Sequence, residues 1–76
     1  MLCCRMDREL LEDALLAAEL HLAEVEWQVA NQSEHVARLQ REGRDTAGAT
    51  KLLTELEEVL SVHLADRDRL RKELGL

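Results

Sequence analysis

The sequence predicts an all-α fold, an antiparallel two-helix hairpin that dimerisation completes into a four-helix arrangement. Ala, Glu, Lys, Leu and Arg supply 46 of the 76 residues, a share above the roughly 50% that is typical of long helices and coiled coils. Proline, isoleucine, phenylalanine and tyrosine are absent, and strands favour the β-branched and aromatic types among them. A chain of this length is also too short for the core of a large enzyme.

The first predicted helix covers about residues 7–42 and follows an N-terminal extension formed by residues 1–6. Asp7 suits the N-cap, because its side chain can accept a backbone N–H bond. Residues 1–5 are expected to precede the natural start of the protein and to contribute nothing to the fold.

An apolar stripe with a seven-residue period marks the side of this helix that faces its partner. Eight of the nine positions in the stripe are apolar, as in a helix–helix seam. The series is Leu11, Leu15, Ala18, Leu22, Val25, Val29, Gln32, Val36 and Leu39.

A turn is predicted at residues 43–46, because the segment Glu42–Gly48 alone interrupts the helical pattern. Gly43 suits the left-handed conformation that closes many helices. Asp45 or Thr46 can accept backbone N–H bonds at the start of the next helix. A loop this short joins antiparallel neighbours.

The second predicted helix covers about residues 46–74 and carries a stripe of the same period. Its series is Ala49, Leu53, Leu56, Leu60, His63, Arg67, Leu70 and Leu74. Folding the chain about its turn aligns the two stripes over their whole length, with Val25 opposite His63 and Gln32 opposite Leu56. Agreement between two separate patterns is stronger evidence for the hairpin than either pattern alone.

Gln32, His63 and Arg67 form a predicted polar seam, since each stands where the pattern demands an apolar residue. We interpret them as residues that fix the register of the hairpin or the dimer. Arg67 can bury its aliphatic stem and extend its guanidinium toward Glu19 or Glu26. The alternative interpretation is a polar docking notch for a partner.

The charges are distributed to match this alignment. The segment Glu9–Glu34 contains seven acids and no Lys or Arg, and four basic residues crowd the end of the second helix: Arg67, Arg69, Arg71 and Lys72. The two segments lie side by side in the hairpin, and cations are favoured at a helix C-terminus. Glu34 with Arg38, and Asp68 with Lys72, are expected to form pairs within their helices.

A second apolar stripe lies on nearly the opposite side of the first helix. It consists of Leu16, Leu20, Ala23, Trp27 and Ala30, and one partner helix cannot cover both stripes. Because a hairpin of this size seldom buries enough apolar area to fold alone, the stripe is predicted to be the interface of a homodimer or with another protein. Leu52, Val59 and Val62 would widen that contact. The alternative is a set of scattered exposed residues, which protein surfaces tolerate.

No catalytic residue, cofactor site or phosphate-binding loop is predicted. Gly43 and Gly48 have the spacing of a phosphate-binding loop, but Ala49 and Thr50 stand where Lys and then Ser or Thr are required. The chain is therefore expected not to be an enzyme and to need no cofactor.

No metal site is predicted either. His21 and His63 can approach each other from the two helices, and Glu24 is one turn from His21. However, no histidine has a glutamate three residues before it, as carboxylate-bridged di-metal bundles require. Cys3 and Cys4 are adjacent, a geometry that rarely allows a disulfide, and are expected to be inert thiols. The alternatives are an intermolecular disulfide or palmitoylation.

The net charge of −6 disfavours nucleic acid and anionic membranes as partners. No stretch reaches the ~18 consecutive apolar residues of a membrane span, and no signal-peptide run is present. A cytoplasmic location is expected.

The segments HVARLQREGRDT at 35–46 and HLADRDRLRKEL at 63–74 resemble short uncharacterised helical proteins of alphaproteobacteria. Those proteins share a turn with Gly, Asp and Thr, followed by a helix that ends in an Arg-Asp-Arg-Leu motif; Arg44 stands where they more often have His. The resemblance covers residue 6 onward and implies a bacterial cytoplasmic origin. It implies no activity.

These observations together predict a non-catalytic adaptor or regulatory module that binds itself and a further protein. The alternative is an acidic mimic of nucleic acid that occupies the basic groove of a partner protein, using the acidic segment Glu9–Glu34. Salt dependence separates the two, because ions screen carboxylates but leave an apolar contact intact.

Overall fold

The computed structural model describes the backbone of residues 4–76 and the side chains of residues 8–76. Helix α1 spans Cys4–Arg41 and helix α2 spans Ala47–Glu73. The two helices pack against each other in an antiparallel hairpin, a rod of 63 × 16 × 14 Å. The predicted all-α hairpin is thereby confirmed.

Helix α1 begins three residues earlier than the sequence pattern predicts. Asp7 lies inside the helix and not at its N-cap, and residues 4–6 belong to α1 and not to an extension. Residues 4–6 contain no glycine or proline, so nothing in their backbone stops the helix from continuing. The predictions for Cys3 and for the thiol of Cys4 lie outside the described residues.

The turn begins with a glycine-closed helix end. Gly43 has φ +68°, and its N–H donates to the Gln40 carbonyl at 3.1 Å, while the N–H of Arg44 donates to the Leu39 carbonyl at 2.9 Å. This pair of bonds satisfies carbonyls that a helix end leaves unpaired. Helix α2 ends in the same way at Gly75, which has φ +78°.

Asp45 supplies the side-chain bond at the start of α2. The N–H of Ala47 donates to Asp45 Oδ1 at 3.0 Å. Thr46 occupies the N-cap position but makes no capping bond with its side chain. Of the two predicted acceptors, Asp45 is therefore the one used.

Both predicted stripes form the seam between the helices. All nine positions in α1, the first seven in α2 and Leu74 directly after α2 are buried or half-buried. At the end away from the turn, Leu15, Ala18, Leu70 and Leu74 form a buried cluster, with Leu11 packed against it.

The seam is buried unevenly. On α1, Leu22 and Val25 are 5% and 7% exposed, whereas Leu53, Leu56 and Leu60 in the first half of α2 are only half-buried. A single partner helix covers only part of the apolar side of α2, so this part of the hairpin remains open along one edge.

The register differs from the expected alignment. The ring of His63 lies against His21, with 5.9 Å between ring centroids, one helical turn beyond Val25. Gln32 Nε2 donates to the carbonyl of Ala49 at 3.0 Å, and so reaches further toward the turn end of α2 than Leu56. Residues 44–46 lie outside both helices, although Thr46 itself has dihedral angles in the helical region, and these three residues displace the start of α2 from where a symmetric fold would place it. Helix α2 therefore starts further down α1 than symmetric folding assumes.

Candidate interaction surface

The second apolar stripe of α1 is exposed along its whole length. Leu16 is 58% exposed, Leu20 63% and Trp27 69%, and Ala23 and Ala30 are exposed as well. Exposure of a tryptophan at this level leaves most of its large apolar ring in contact with water.

Trp27 lies beside the open edge of α2. It lines a shallow groove of about 540 Å³ that runs between the helices, together with Gln28, Asn31, Gln32, Leu52 and Leu56. The groove joins the exposed stripe of α1 to the half-buried side of α2. The sequence pattern placed Leu52 beside the seam but did not reveal that it shares a groove with Trp27.

Four exposed apolar residues, which we call the apolar layer, lie on the two helices: Leu20 and Trp27 on the outer side of α1, and Leu52 and Val59 beside the seam on α2. Trp27 and Leu52 line the same groove. Leu20 precedes Trp27 by seven residues and Leu52 precedes Val59 by seven, so each pair lies on one side of its helix, two turns apart. Leu52 is 46% and Val59 43% exposed. Val62, 67% exposed, extends the layer along α2.

The three residues of the predicted polar seam take different partners. Gln32 bonds to the α2 backbone, as described above, and His63 packs on His21. Arg67 donates to Asp68 Oδ1 from Nε at 3.2 Å and from Nη2 at 2.9 Å. The expected reach of Arg67 toward Glu19 or Glu26 is therefore wrong, because the neighbouring Asp68 offers a carboxylate without any crossing of the seam.

The ion pairs among the described side chains are local to one helix or to the turn. Glu34 pairs with Arg41 at 3.5 Å, while Arg38 bonds to His35 Nδ1 at 3.0 Å. These contacts replace the predicted pair of Glu34 with Arg38, and the bond from Arg67 replaces the predicted pair of Asp68 with Lys72. Neither predicted pair forms.

Arg69 holds two acids of its own helix. Its Nη2 lies 2.6 Å from Asp66 Oδ1 and its Nη1 lies 3.5 Å from Glu73 Oε1. The hydrogen bond to Asp66, and then the charges of Asp66 and Glu73, raise the pKa of Arg69. The Arg69 side chain is largely exposed, so this cluster adds little to stability.

His21 and His63 meet across the seam, as the sequence allowed. Within residues 8–76, however, no three His, Cys, Asp or Glu side chains are grouped so that they could hold a metal ion. Neither described helix has a stretch long and apolar enough to cross a membrane.

Comparison with known proteins gives no relative: no family model, curated protein or solved structure matches the chain.

Proposed function

We propose that the protein is a non-catalytic interaction module of the cytoplasm. It associates with a second copy of itself through the apolar layer, and the resulting bundle binds another protein. The observation that carries the proposal is the exposure of Trp27 and Leu52, which line one groove between the helices with Leu56. Contiguous apolar surface of this kind marks a contact site.

The hairpin exposes more surface than a compact monomer of the same mass would. A compact monomer of 8.7 kDa would expose about 4,700 Å² by the scaling of surface with mass, and the hairpin exposes 5791 Å². The excess of about 1,000 Å² reflects the elongated shape of the hairpin, a rod of 63 × 16 × 14 Å. A second copy packed along the rod would give a more compact assembly.

Trp27 is suited to anchor the contact. Tryptophan is among the residues that dominate binding energy when they become fully buried, and Trp27 lies at the groove that it shares with Leu52 and Leu56. A second copy is the simplest occupant, because one self-complementary surface serves both chains.

The test is the mass of the protein in solution, measured by sedimentation equilibrium at protein concentrations from about 1 to about 100 μM. We expect a dimer at micromolar concentration, since an interface of standard size supports that range. The double substitution Leu20→Glu, Trp27→Glu should give monomers or unfolded chains, because it places four carboxylates inside the dimer contact.

The matched control is Leu10→Glu with Leu76→Glu. These residues are 64% and 66% exposed and lie near the end of the rod away from the turn, outside the apolar layer, so the control removes the same number of apolar residues and adds the same charge. It should stay dimeric. A wild-type chain that is monomeric and helical over the whole range would overturn the proposal.

A second candidate function, the acidic mimic of nucleic acid, draws support from the exposed acids of α1. Asp13, Glu19, Glu24 and Glu26 are exposed and make no ion pair with another described residue. A basic groove would find these carboxylates unpaired. The two candidates differ in salt dependence: a partner held by the acids should be released between about 50 and 500 mM salt, because the Debye length shortens, whereas one held by the layer should remain bound.

A further inference from the structure

The seam between the helices has a second edge, on the side away from the groove described above. Gln28 lines the groove and directly precedes the seam residue Val29, whereas Glu26 directly follows the seam residue Val25. In a seam of seven-residue period these two kinds of position lie on opposite edges. We call the edge away from the groove the acidic edge, formed on α1 by Leu16, Glu19, Ala23, Glu26 and Ala30 and on α2 by Glu57 and Leu64.

Helix α2 contributes Glu57 and Leu64 to the acidic edge. Each directly follows a seam residue, as Glu26 does on α1, and matching positions of two antiparallel helices lie on the same edge of their seam. The contact of His63 with His21 gives the alignment. Glu57 lies six residues before His63 and Glu26 lies five residues after His21, so the two glutamates lie at nearly the same height along the rod.

The glutamates of the acidic edge lack a matching positive charge. Glu19, Glu26 and Glu57 are exposed, and none of them makes an ion pair with another described residue. Because Glu26 and Glu57 lie at one height on one edge, their like charges repel each other. A cation from a partner that binds along this edge would offset that repulsion.

Apolar side chains lie beside these acids. Leu16 is 58% exposed, Ala23 and Ala30 are exposed, and Leu64 on the facing helix is half-buried. The three residues of α1 are each three or four positions from a glutamate of the edge, and residues at this spacing are neighbours on a helix surface. From Leu16 to Ala30 the line covers 14 residues, about 21 Å along the helix, which is long enough to contact four turns of another helix.

We propose that the acidic edge binds an amphipathic helix of another protein. Apolar residues of that helix pack on Leu16, Ala23 and Leu64, and Lys or Arg residues beside them pair with the glutamates. Helices of this kind bind through apolar anchors one turn apart, and complementary charge selects the partner. The inference names the partner of the proposed interaction module and rests on that function; it leaves the groove to the second copy.

A second copy does not supply such a helix. Residues 9–34 of α1 contain no Lys or Arg, and residues 47–66 of α2 contain one, Lys51. Either segment of a second copy would bring acids against the acidic edge, and like charges brought together destabilise an interface. The charge of the edge therefore favours a partner of different sequence.

A synthetic peptide tests the chemistry of the partner. The probe is a fluorescein-labelled helix of about 21 residues, with leucines at the spacing of a seven-residue seam and lysines beside them. Followed by fluorescence anisotropy, the full chain should bind it with a Kd on the order of 10 μM. The same peptide with glutamates in place of lysines should not bind, and equal binding of the two would overturn the inference.

A third peptide separates this inference from the acidic mimic. It keeps the lysines and carries glutamines in place of the leucines, and we expect it to bind at least about tenfold more weakly, because the apolar contact is lost. Binding as tight as that of the leucine peptide would mean that charge alone holds the partner. That result would overturn the docking of an amphipathic helix and favour the mimic.

Substitutions in the chain test the place of binding. Glu19→Gln with Glu26→Gln should weaken binding of the leucine–lysine peptide about fivefold or more, since two exposed charge pairs are lost. The matched control is Glu55→Gln with Glu58→Gln, which removes the same charge from exposed positions of α2 outside the edge. An equal loss in the two variants would mean that net charge attracts the peptide, and would overturn the site.

The apolar part of the edge has its own pair of variants. Leu16→Gln should weaken peptide binding, whereas Leu10→Gln, at a residue 64% exposed and outside the edge, should leave it unchanged. Equal binding by both variants would reject the apolar contact.

Sedimentation of the chain with and without the peptide separates this inference from the proposed self-association. A chain that is dimeric but binds no peptide would overturn the inference and leave the self-association intact. A monomeric chain that binds the peptide, and loses it on Glu19→Gln with Glu26→Gln, would support the inference and reject the self-association.

Discussion

The rings of His21 and His63 lie 5.9 Å apart, tilted by 57°, with one ring on each helix. His21 is exposed and His63 is half-buried, so the pair closes the edge of the seam. The contact shows how the two helices are aligned. His63 lies beside His21, one helical turn further from the turn at residues 43–46 than it would lie opposite Val25.

His63→Leu is expected to raise the Tm. His63 occupies a seam position that is otherwise apolar and makes no hydrogen bond to a described residue, so leucine would exchange a half-buried polar ring for apolar packing. Thermal unfolding followed by circular dichroism measures the effect. His63→Gln keeps a polar side chain and should not raise the Tm; a lower Tm for His63→Leu would mean that the imidazole makes a bond that the hairpin needs.

Gln32→Ala is expected to lower the free energy of unfolding by about 1 kcal/mol, the net contribution of one hydrogen bond. The change removes the part-buried bond from Gln32 to the Ala49 carbonyl. Gln40→Ala is the control, because Gln40 lies on the exposed side of the same helix. Urea unfolding of both variants at one protein concentration measures the difference, and equal stability of the two would show that the bond contributes nothing.

Gly43→Ala and Gly48→Ala are expected to change stability in opposite directions. Gly43 has φ +68°, where an added Cβ costs about 1–2 kcal/mol. Gly48 lies in the first turn of α2 with open space around it, and alanine there should stabilise by about 0.5 kcal/mol through helix propensity and a less flexible unfolded chain. Chemical unfolding measures both, and destabilisation by Gly48→Ala would contradict this account.

Leu70→Ala is expected to destabilise the fold by about 2–5 kcal/mol, the usual cost of truncating a buried leucine. Leu70 is 4% exposed and packs in the cluster with Leu15 and Ala18. Since a small domain has only about 5 kcal/mol of stability to lose, the variant should be largely unfolded at 37 °C by circular dichroism. Leu10→Ala, at a residue 64% exposed, should retain its helical signal.

The features that depend on local chemistry and periodicity can be predicted from the amino-acid sequence. Every position of the two seven-residue stripes is buried or half-buried, since burial on a helix follows the 3.6-residue turn. Gly43 predicted the left-handed residue of the turn, because few other residues tolerate that conformation. The start of α1 was misplaced at Asp7, since a good capping residue does not end a helix when the preceding residues can also be helical.

The register of the two helices and the partners of the charged side chains depend on how the helices pack, and so they follow from the three-dimensional structure. The offset between the helices depends on the backbone conformation of residues 44–46. Counting residues along the chain does not predict that conformation. Arg67 and Glu34 each have several oppositely charged residues within reach. Exposed ion pairs differ too little in energy for the spacing of residues in the sequence to predict which pair forms. The groove that joins Trp27 to Leu52 likewise appears only after that offset brings the open edge of α2 beside the exposed stripe of α1.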